Sequence, residues 1–280
     1  MADMEQEKEY RQMAPSLLDL PFDAASSFMR GAAEGPAAIR KALRCDSSNM
    51  WTESGVDLGA AGAFHDSGYI QPGPLGGPDE MLELISEGAR RVIDDGFAPV
   101  FLGGDHAVTY PAFTGLVDRI SPVSILHFDA HPDLYDRFGG DKLSHACPFA
   151  RIMEEGLTKR LVQIGIRTAN GHQLEQAARF GVEVITMRDL GEAAALSFNE
   201  PLYISFDVDV LDPAFAPGVS HPEPGGLSTR EAIRIIQSVR APLFAGADIV
   251  ELNPSLDVRD ITAMACAKIL KEILARFIDG

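Results

Sequence analysis

Residues 202–250 read LYISFDVDVLDPAFAPGVSHPEPGGLSTREAIRIIQSVRAPLFAGADIV, and this stretch indicates the fold more directly than any other part of the chain. Its two ends, Leu202–Phe206 and Leu243–Val250, are short apolar runs typical of strands that are buried on both faces. Between them, the capping-box pattern Ser228-x-x-Glu231 opens a segment of helical length. Strand, helix and strand in this order are the repeating pattern of a parallel sheet.

The same alternation extends through most of the chain. Five further apolar runs predict strands, at Ser16–Leu20, Pro99–Leu102, Val123–Phe128, Leu161–Ile166 and Val182–Thr186. Helical segments are predicted at Ala37–Leu43, Asp79–Gly96, Pro148–Glu155, Gln173–Arg179, Thr229–Val239 and Ile261–Ile278. This alternation predicts an α/β fold of three layers, α/β/α, with a mainly parallel sheet. We expect a single domain over residues 1–280, a flexible N-terminal arm over residues 1–12, and an irregular surface excursion over Gly59–Pro78.

Charge and composition narrow the possible partners. The 280-residue chain has 41 acidic and 24 basic residues, a formal net charge of −17, which repels nucleic acid and anionic membrane surfaces. No apolar run is long enough to span a membrane, and the acidic start of the chain lacks the pattern of an export signal. The three scattered cysteines, Cys45, Cys147 and Cys266, favour free thiols in a reducing compartment. The sequence therefore predicts a cytoplasmic protein that binds neither nucleic acid nor membrane.

Aspartate and histidine follow three of the predicted strands at the point where each strand ends. The three segments are Gly103-Gly104-Asp105-His106, Asp129-Ala130-His131-Pro132-Asp133 and Asp207-Val208-Asp209. The carboxyl ends of parallel strands meet at one edge of a sheet, and residues two apart in extended backbone point to the same side. A lone aspartate at a strand end is usually a turn former, but packing gives no reason for the four acids Asp129, Asp133, Asp207 and Asp209 and two histidines there. We expect these side chains to converge on one site.

The charge of this site indicates metal ions. Asp129, Asp133, Asp207 and Asp209 together carry −4, which is too repulsive to leave unpaired in a partly buried site, and two divalent cations would cancel it. Carboxylates with some imidazole and no thiolate favour manganese, with nickel, cobalt or iron as alternatives, and disfavour structural zinc. Two ions that share carboxylates lower the pKa of a bridging water, so the pattern predicts a hydrolase with two Mn²⁺ per subunit.

These motifs resemble the three metal-binding signatures of the ureohydrolases, the family of arginase and agmatinase, in the family's order and spacing. The similarity continues in Ser26–Ala42, Ser144-His145-Ala146, the proline-rich loop Ala214–Gly226 and Asp248–Pro254, and so extends over nearly the whole chain. The stretches Asp129–Met153 and Ala214–Leu227 look most like plant-type arginases and related bacterial agmatinase-like proteins. The resemblance implies the arginase/deacetylase-like form of the three-layer fold.

Carried over residue by residue, the resemblance implies two metal sites that share Asp129 and Asp207. One ion would be held by His106, Asp129, Asp133 and Asp207, and the other by Asp129, His131, Asp207 and Asp209. The implied reaction is attack of a bridging hydroxide on a guanidinium carbon, which releases urea and an amine. Asp133 would orient the hydroxide, His145 would carry a proton to the leaving amine, and Glu251 would pair with the guanidinium.

Residues outside the metal sites would select the substrate, and Asp141, Asn170 and Glu251 are the candidate substrate-binding residues. Asn170 falls where animal-type arginases have aspartate, and Asp141 stands where plant-type enzymes have a loop asparagine. A partly buried carboxylate at position 141 would disfavour the α-carboxylate of arginine by about 1 to 3 kcal/mol, which favours agmatine before arginine. Guanidinobutyrate and guanidine stay as alternatives, and the resemblance implies a homotrimer or homohexamer.

Three other classes of protein share parts of this pattern. Asp207-Val208-Asp209-Val210 after a strand also resembles the aspartyl nucleophile motif of haloacid-dehalogenase phosphatases, but that interpretation leaves the other two segments without a role. A binding module or non-catalytic partner subunit on the same fold predicts lost metal ligands or a lost Glu251, and all are present. A purely structural metalloprotein would not need His145 in its loop.

Overall fold

The computed structural model describes residues 13–71 and 77–279, and a single eight-stranded sheet runs through them. The strands are β1 Pro15–Leu20, β2 His65–Tyr69, β3 Ala98–Gly103, β4 Ser124–Phe128, β5 Leu161–Ile166, β6 Glu183–Thr186, β7 Leu202–Asp207 and β8 Phe244–Val250. Their order across the sheet is β2-β1-β3-β8-β7-β4-β5-β6, and every neighbouring pair is parallel. The predicted parallel sheet is confirmed.

Helices cover both faces of this sheet. In the described residues they are α1 Gly35–Leu43, α2 Pro78–Asp94, α3 Thr109–Val117, α4 Pro148–Glu154, α5 Gly171–Phe180, α6 Thr229–Ser238 and α7 Ile261–Asp279. Short 3₁₀ helices lie at Ala32–Glu34, His106–Val108, Met187–Ala195, Val208–Val210 and Pro254–Leu256. Helices α1, α6 and α7 pack into one apolar core, and α2 to α5 pack into another on the opposite face. This arrangement confirms the three-layer α/β/α class.

The inner strands β3, β4, β5, β7 and β8 are buried along their whole length because both of their faces are covered. In β1, the neighbouring residues Leu17 and Leu18 belong to the two different cores, since side chains alternate along a strand. Helix α6 begins at the predicted capping box: the Ser228 hydroxyl accepts the Glu231 backbone N–H at 3.2 Å, and the Glu231 carboxylate accepts the Ser228 N–H at 2.8 Å. Such a cap stabilises a helix by about 1 kcal/mol.

Two elements differ from the sequence prediction. Strand β2 lies inside Gly59–Pro78, which was expected to be irregular; residues 72–76 of that range lie outside the described part of the chain. As an edge strand, β2 is mostly exposed and its sequence HDSGY has no apolar run, so no hydrophobic signal marks it. Helix α3 was also not predicted, because its sequence TYPAFTGLV is apolar on nearly every side and shows no amphipathic period.

The sheet order brings the candidate residues together. Strands β3, β8, β7 and β4 are consecutive neighbours at the centre of the sheet, so the segments that follow them share one edge. Among the described helices, none combines the length and apolar character needed to cross a bilayer. The predicted flexible arm, residues 1–12, lies outside the described residues, and the single domain over residues 1–280 stays a prediction.

Candidate metal centre and active site

A cavity of about 380 Å³ opens at the carboxyl ends of the central strands. Seven of the residues that line it come from the predicted site: His131, Asp133, His145, Asn170, Asp207, Asp209 and Glu251. His106 and Asp129 are fully buried against these groups. The fold therefore gathers side chains from six separate segments of the chain around one solvent-accessible cavity, where a small molecule can reach them.

His106 meets three carboxylates through one ring nitrogen. Its Nδ1 lies 3.3 Å from Asp129 Oδ2, 3.0 Å from Asp133 Oδ2 and 3.1 Å from Asp207 Oδ2, yet it makes no hydrogen bond of good geometry. These carboxylates outweigh burial and raise the pKa of His106 well above its ordinary value. Positive charge therefore belongs at this point, and a divalent cation would supply it.

The other nitrogen of the same ring is held by a buried serine hydroxyl, which is itself bonded to a buried aspartate. His106 Nε2 lies 3.1 Å from Ser205 Oγ, and that hydroxyl donates its hydrogen to Asp248 Oδ1 at 2.8 Å. Because Ser205 has only one hydrogen to give, it accepts the N–H of His106 Nε2. In the neutral ring, Nδ1 is then unprotonated and presents its lone pair to the carboxylates. This tautomer is the one a metal-binding histidine requires.

A second group of side chains lies beside the first and shares Asp129. His131 Nδ1 is 3.3 Å from Asp129 Oδ1 and 3.0 Å from Asp209 Oδ2. The two oxygens of Asp129 thus face different histidines, as a carboxylate between two cations would. His127 lies with Nε2 2.8 Å from Asp129 Oδ2 and so fixes the carboxylate.

The pKa values of these carboxylates are strongly shifted by burial and by their neighbours. Desolvation and the charges of Asp209 and Asp129 raise the pKa of Asp207 well above its ordinary value. Desolvation and the charge of Asp129 raise the pKa of Asp209 to about 6. Burial also opposes ionisation of Asp129, but its histidine neighbours outweigh burial and hold its pKa well below the usual range. Oxygen and imidazole donors in this state fit two hard or borderline divalent ions.

Backbone strain is found at two of the predicted site residues. Asp133 has φ 49° and Glu251 has φ 67°, a left-handed conformation that non-glycine residues rarely adopt. Such strain persists where the surrounding structure enforces it, and it is concentrated at functional sites. Gly104 shows a related constraint, because a Cβ atom at this position would lie 1.8 Å from the carbonyl oxygen of Phe22. The close approach of the two backbones places the following residues, Asp105 and His106.

His145 and Glu251 form an ion pair at the cavity wall. His145 Nδ1 lies 3.3 Å from Glu251 Oε1, and the same carboxylate oxygen accepts the backbone N–H of His106 at 2.9 Å. Burial disfavours the imidazolium, but Glu251 outweighs burial and raises the pKa of His145 to about 9. Burial likewise opposes the charge on Glu251, and His145 still lowers its pKa. The pair therefore combines a proton donor with a carboxylate that can face a cation.

The two candidate substrate-binding residues lie in different surroundings. Asn170 lines the cavity, where its Nδ2 donates to the Tyr135 hydroxyl at 2.6 Å; its Oδ1 accepts the Gln173 N–H at 3.0 Å as the N-cap of α5. Asp141 is exposed and its Oδ1 accepts the N–H of Leu143 at 2.8 Å. It is not among the described residues that line the cavity, so the structure gives no contact that supports its predicted effect on the substrate.

Some residues at the site were not assigned a role from the sequence. His221 lines the cavity with its ring 5.0 Å from that of His145. Ser27 lines it as well, with Oγ 2.8 Å from His145 Nε2. Ser205 contacts His106 Nε2, and Asp248 accepts the hydrogen of the Ser205 hydroxyl. Of these, Ser205 and Asp248 lie in strands next to predicted ligands, which is a signal for supporting residues; single polar residues in loops carry no such signal.

The chain is similar to known proteins over nearly its whole length. It matches the arginase family over residues 14–275. Arginase 1, mitochondrial, of Arabidopsis thaliana is 44% identical over 275 residues, which cover 93% of this chain and 80% of that protein. Guanidinopropionase of Pseudomonas aeruginosa is 37% identical over 276 residues, covering 92% and 85%. The solved structure of arginase from Medicago truncatula matches with a TM-score of 0.89 at 38% identity, covering 98% of this chain and 93% of that one.

The chain therefore belongs to the arginase family, and it is a hydrolase of the ureohydrolase type. The predicted cytoplasmic location is wrong, because plant relatives at 42 to 44% identity are named mitochondrial or chloroplastic/mitochondrial. Cysteine usage separates oxidising from reducing compartments and does not distinguish one reducing compartment from another, so it gave no ground for choosing the cytoplasm.

Proposed function

We propose that this protein hydrolyses a small guanidino compound to urea and an amine, with two manganese ions in the cavity at the carboxyl ends of the central strands. The observation that carries the proposal is the pair of histidine–aspartate groups that share Asp129 beside Glu251. His106 and its three carboxylates would hold one ion, and His131 with Asp129, Asp207 and Asp209 would hold the other. Manganese suits this donor set of oxygen and imidazole, and Ni²⁺ or Co²⁺ is an alternative.

The two ions, when bound, would lower the pKa of a water between them and so supply the nucleophile at neutral pH. Glu251 would bind the guanidinium, since a carboxylate matches the planar donor fork of that group. Asp133, held near His106 in a strained conformation, would accept a hydrogen bond from the nucleophile and orient it. His145, whose Nδ1 lies 3.3 Å from Glu251 Oε1, would give its proton to the departing amine.

Arginine is the first substrate that we propose, with ornithine and urea as products, because the Arabidopsis relative is named an arginase. Agmatine, which would give putrescine and urea, is the second. It is favoured by one feature: no lysine or arginine is among the described residues that line the cavity, so an α-carboxylate meets no cationic side chain there. Asp141 gives no support for agmatine, since its side chain is not among the described residues that line the cavity.

Urea release tests the proposal. The purified protein, loaded with manganese, is assayed against arginine, agmatine, guanidinobutyrate and guanidine at equal concentrations. Asp133→Ala and His131→Ala are expected to reduce urea release by at least about 10³-fold, because each removes a metal ligand. His65→Ala is the matched control, a histidine on the exposed edge strand β2 that is not among the described residues lining the cavity. Full activity in either site variant would refute the metal assignment, and no urea from any substrate would refute the proposed reaction.

Two further properties are proposed from the family. The resemblance favours a homotrimer or homohexamer, which size-exclusion chromatography with light scattering measures directly; a monomer at micromolar concentration would contradict it. The names of the plant relatives favour an organelle as the site of action. Imaging of the tagged protein in its native cell would decide the location.

A further inference from the structure

The loop Asp23–Gly31 forms part of the cavity wall, and both of its ends are anchored. Near its start, the buried carboxylate of Asp105 accepts the N–H of Ala25 at 2.9 Å. Near its end, Asn253 Nδ2 and Ser220 Oγ donate to the carbonyl of Met29 at 2.9 and 2.8 Å. These anchors come from segments that also carry site residues, so the position of the loop is fixed relative to the site.

The middle of this loop reaches His145. Ser27 Oγ lies 2.8 Å from His145 Nε2, and the backbone N–H of His145 donates to the carbonyl of Ala25 at 3.3 Å. Phe28, the next residue, has its ring 5.8 Å from that of His221. His221 in turn stacks on His145, with ring centroids 5.0 Å apart and planes inclined by 26°. The imidazole of His145 is thus contacted at both nitrogens and on one face.

We propose that Ser27 is a positioning residue that fixes the ring of His145 beside Glu251 in the cavity, with His221 as the stacking support on the ring face. The inference rests on the proposed role of His145 as proton donor. A hydroxyl suits this position because it can accept from a protonated ring nitrogen and donate to an unprotonated one. The ring can therefore keep one orientation through both halves of a proton transfer, which an aliphatic side chain at position 27 would not secure.

Three serine-based comparisons test the proposal in the full-length, manganese-loaded protein. Ser27→Ala is expected to lower kcat by about 5- to 50-fold, a part of what general acid catalysis contributes, and to change KM by less than about 3-fold. Ser27→Thr keeps the hydroxyl and is expected to retain kcat within about 3-fold. Ser26→Ala removes a hydroxyl of the same loop that faces Asp105 instead of His145, and it measures the effect of disturbing the loop alone. Thermal unfolding and metal content are checked for each variant.

His221 is tested by the pair His221→Phe and His221→Ala. Phenylalanine keeps a flat ring against His145, so it is expected to retain more of kcat than alanine does. A crystal structure of Ser27→Ala adds a readout independent of turnover: the His145 ring is expected to rotate or to occupy more than one orientation. An unmoved ring in that structure would contradict the proposal.

The outcomes separate this inference from the proposed function. Urea release by the wild type with unchanged kcat in Ser27→Ala would refute the positioning role and leave the ureohydrolase function standing. Equal losses in Ser26→Ala and Ser27→Ala would also refute it, because loop disturbance would then explain both. No urea from the wild type with any of the four guanidino substrates would refute the proposed function itself, on which the role of His145 depends.

Discussion

Removal of the Ser205 hydroxyl should weaken metal binding without removing a metal ligand. In Ser205→Ala, the N–H of His106 Nε2 loses its acceptor, and the ring is free to move its proton to Nδ1, the atom that faces the three carboxylates. A buried donor without a partner costs about 1 to 3 kcal/mol. In a protein of this size, that cost lowers the melting temperature by about 2 to 6 °C.

The effect on metal affinity is worked out from the same contact. Supporting partners of metal-binding histidines typically contribute about 10- to 100-fold in affinity, or about 1.4 to 2.8 kcal/mol. We therefore expect the Mn²⁺ dissociation constant of Ser205→Ala to be about 10- to 100-fold higher than that of the wild type. Titration of the metal-free protein with Mn²⁺, followed by calorimetry, measures it. In the variant, Asp248 Oδ1 loses the Ser205 hydroxyl, but Tyr203 and Thr109 still donate to Asp248 Oδ2 at 2.7 and 2.9 Å, so the carboxylate keeps these two partners.

Ser124→Ala is the matched control. Ser124 is a buried serine at the start of β4, and its hydroxyl donates to Glu200 Oε2 at 2.9 Å, at the opposite end of the sheet from the cavity. It should lower stability and leave Mn²⁺ affinity unchanged. If Ser205→Ala binds Mn²⁺ within about 2-fold of the wild type, the tautomer argument is wrong.

Three further predictions follow from other parts of the molecule. Gly104→Ala forces a Cβ atom against the Phe22 carbonyl and should cost at least about 2 kcal/mol in urea unfolding, together with weaker metal binding; an unchanged midpoint would contradict the close approach. Arg230 lowers the pKa of Glu53 to about 2, so their pairing stabilises the protein above about pH 4.5 and is lost as the pH falls towards 2. Arg230→Ala should therefore lower the stability of the protein slightly at pH 7 and leave it unchanged near pH 2, measured by unfolding at both pH values. Chelation of the metal should lower the melting temperature by about 5 to 10 °C, since ions present at about 10³ times their dissociation constant add about 4 kcal/mol; an unchanged melting temperature would exclude tight metal binding.

The layers of the fold could be predicted because strands buried on both faces are apolar runs that stand out in the sequence, as β4 and β7 do. Strand β2 could not, since pairing at the sheet edge is decided by backbone hydrogen bonds to β1 and its exposed side chains carry no pattern. Helix α3 was missed for the opposite reason, because its burial on nearly all sides removes the polar face that identifies a helix.

In the site, too, some residues could be predicted from the sequence and others could not. The sequence could place Asp129 and Asp207 together because their positions at strand ends follow from local pattern and sheet topology. It could not identify Ser27 or His221, since each meets His145 only through a loop whose path is set by distant anchors. Asp141 was placed at the substrate by its position in the chain, but the turn at Leu143 directs its carboxylate into its own loop.

The most direct test of the account is a titration of the metal-free protein with Mn²⁺ while urea release from arginine and from agmatine is followed. The two groups of ligands that share Asp129 predict that activity rises with bound metal and reaches its plateau at two Mn²⁺ per chain. Full activity without added metal, a plateau at one ion, or two bound ions without urea from any guanidino substrate would contradict the proposed binuclear ureohydrolase.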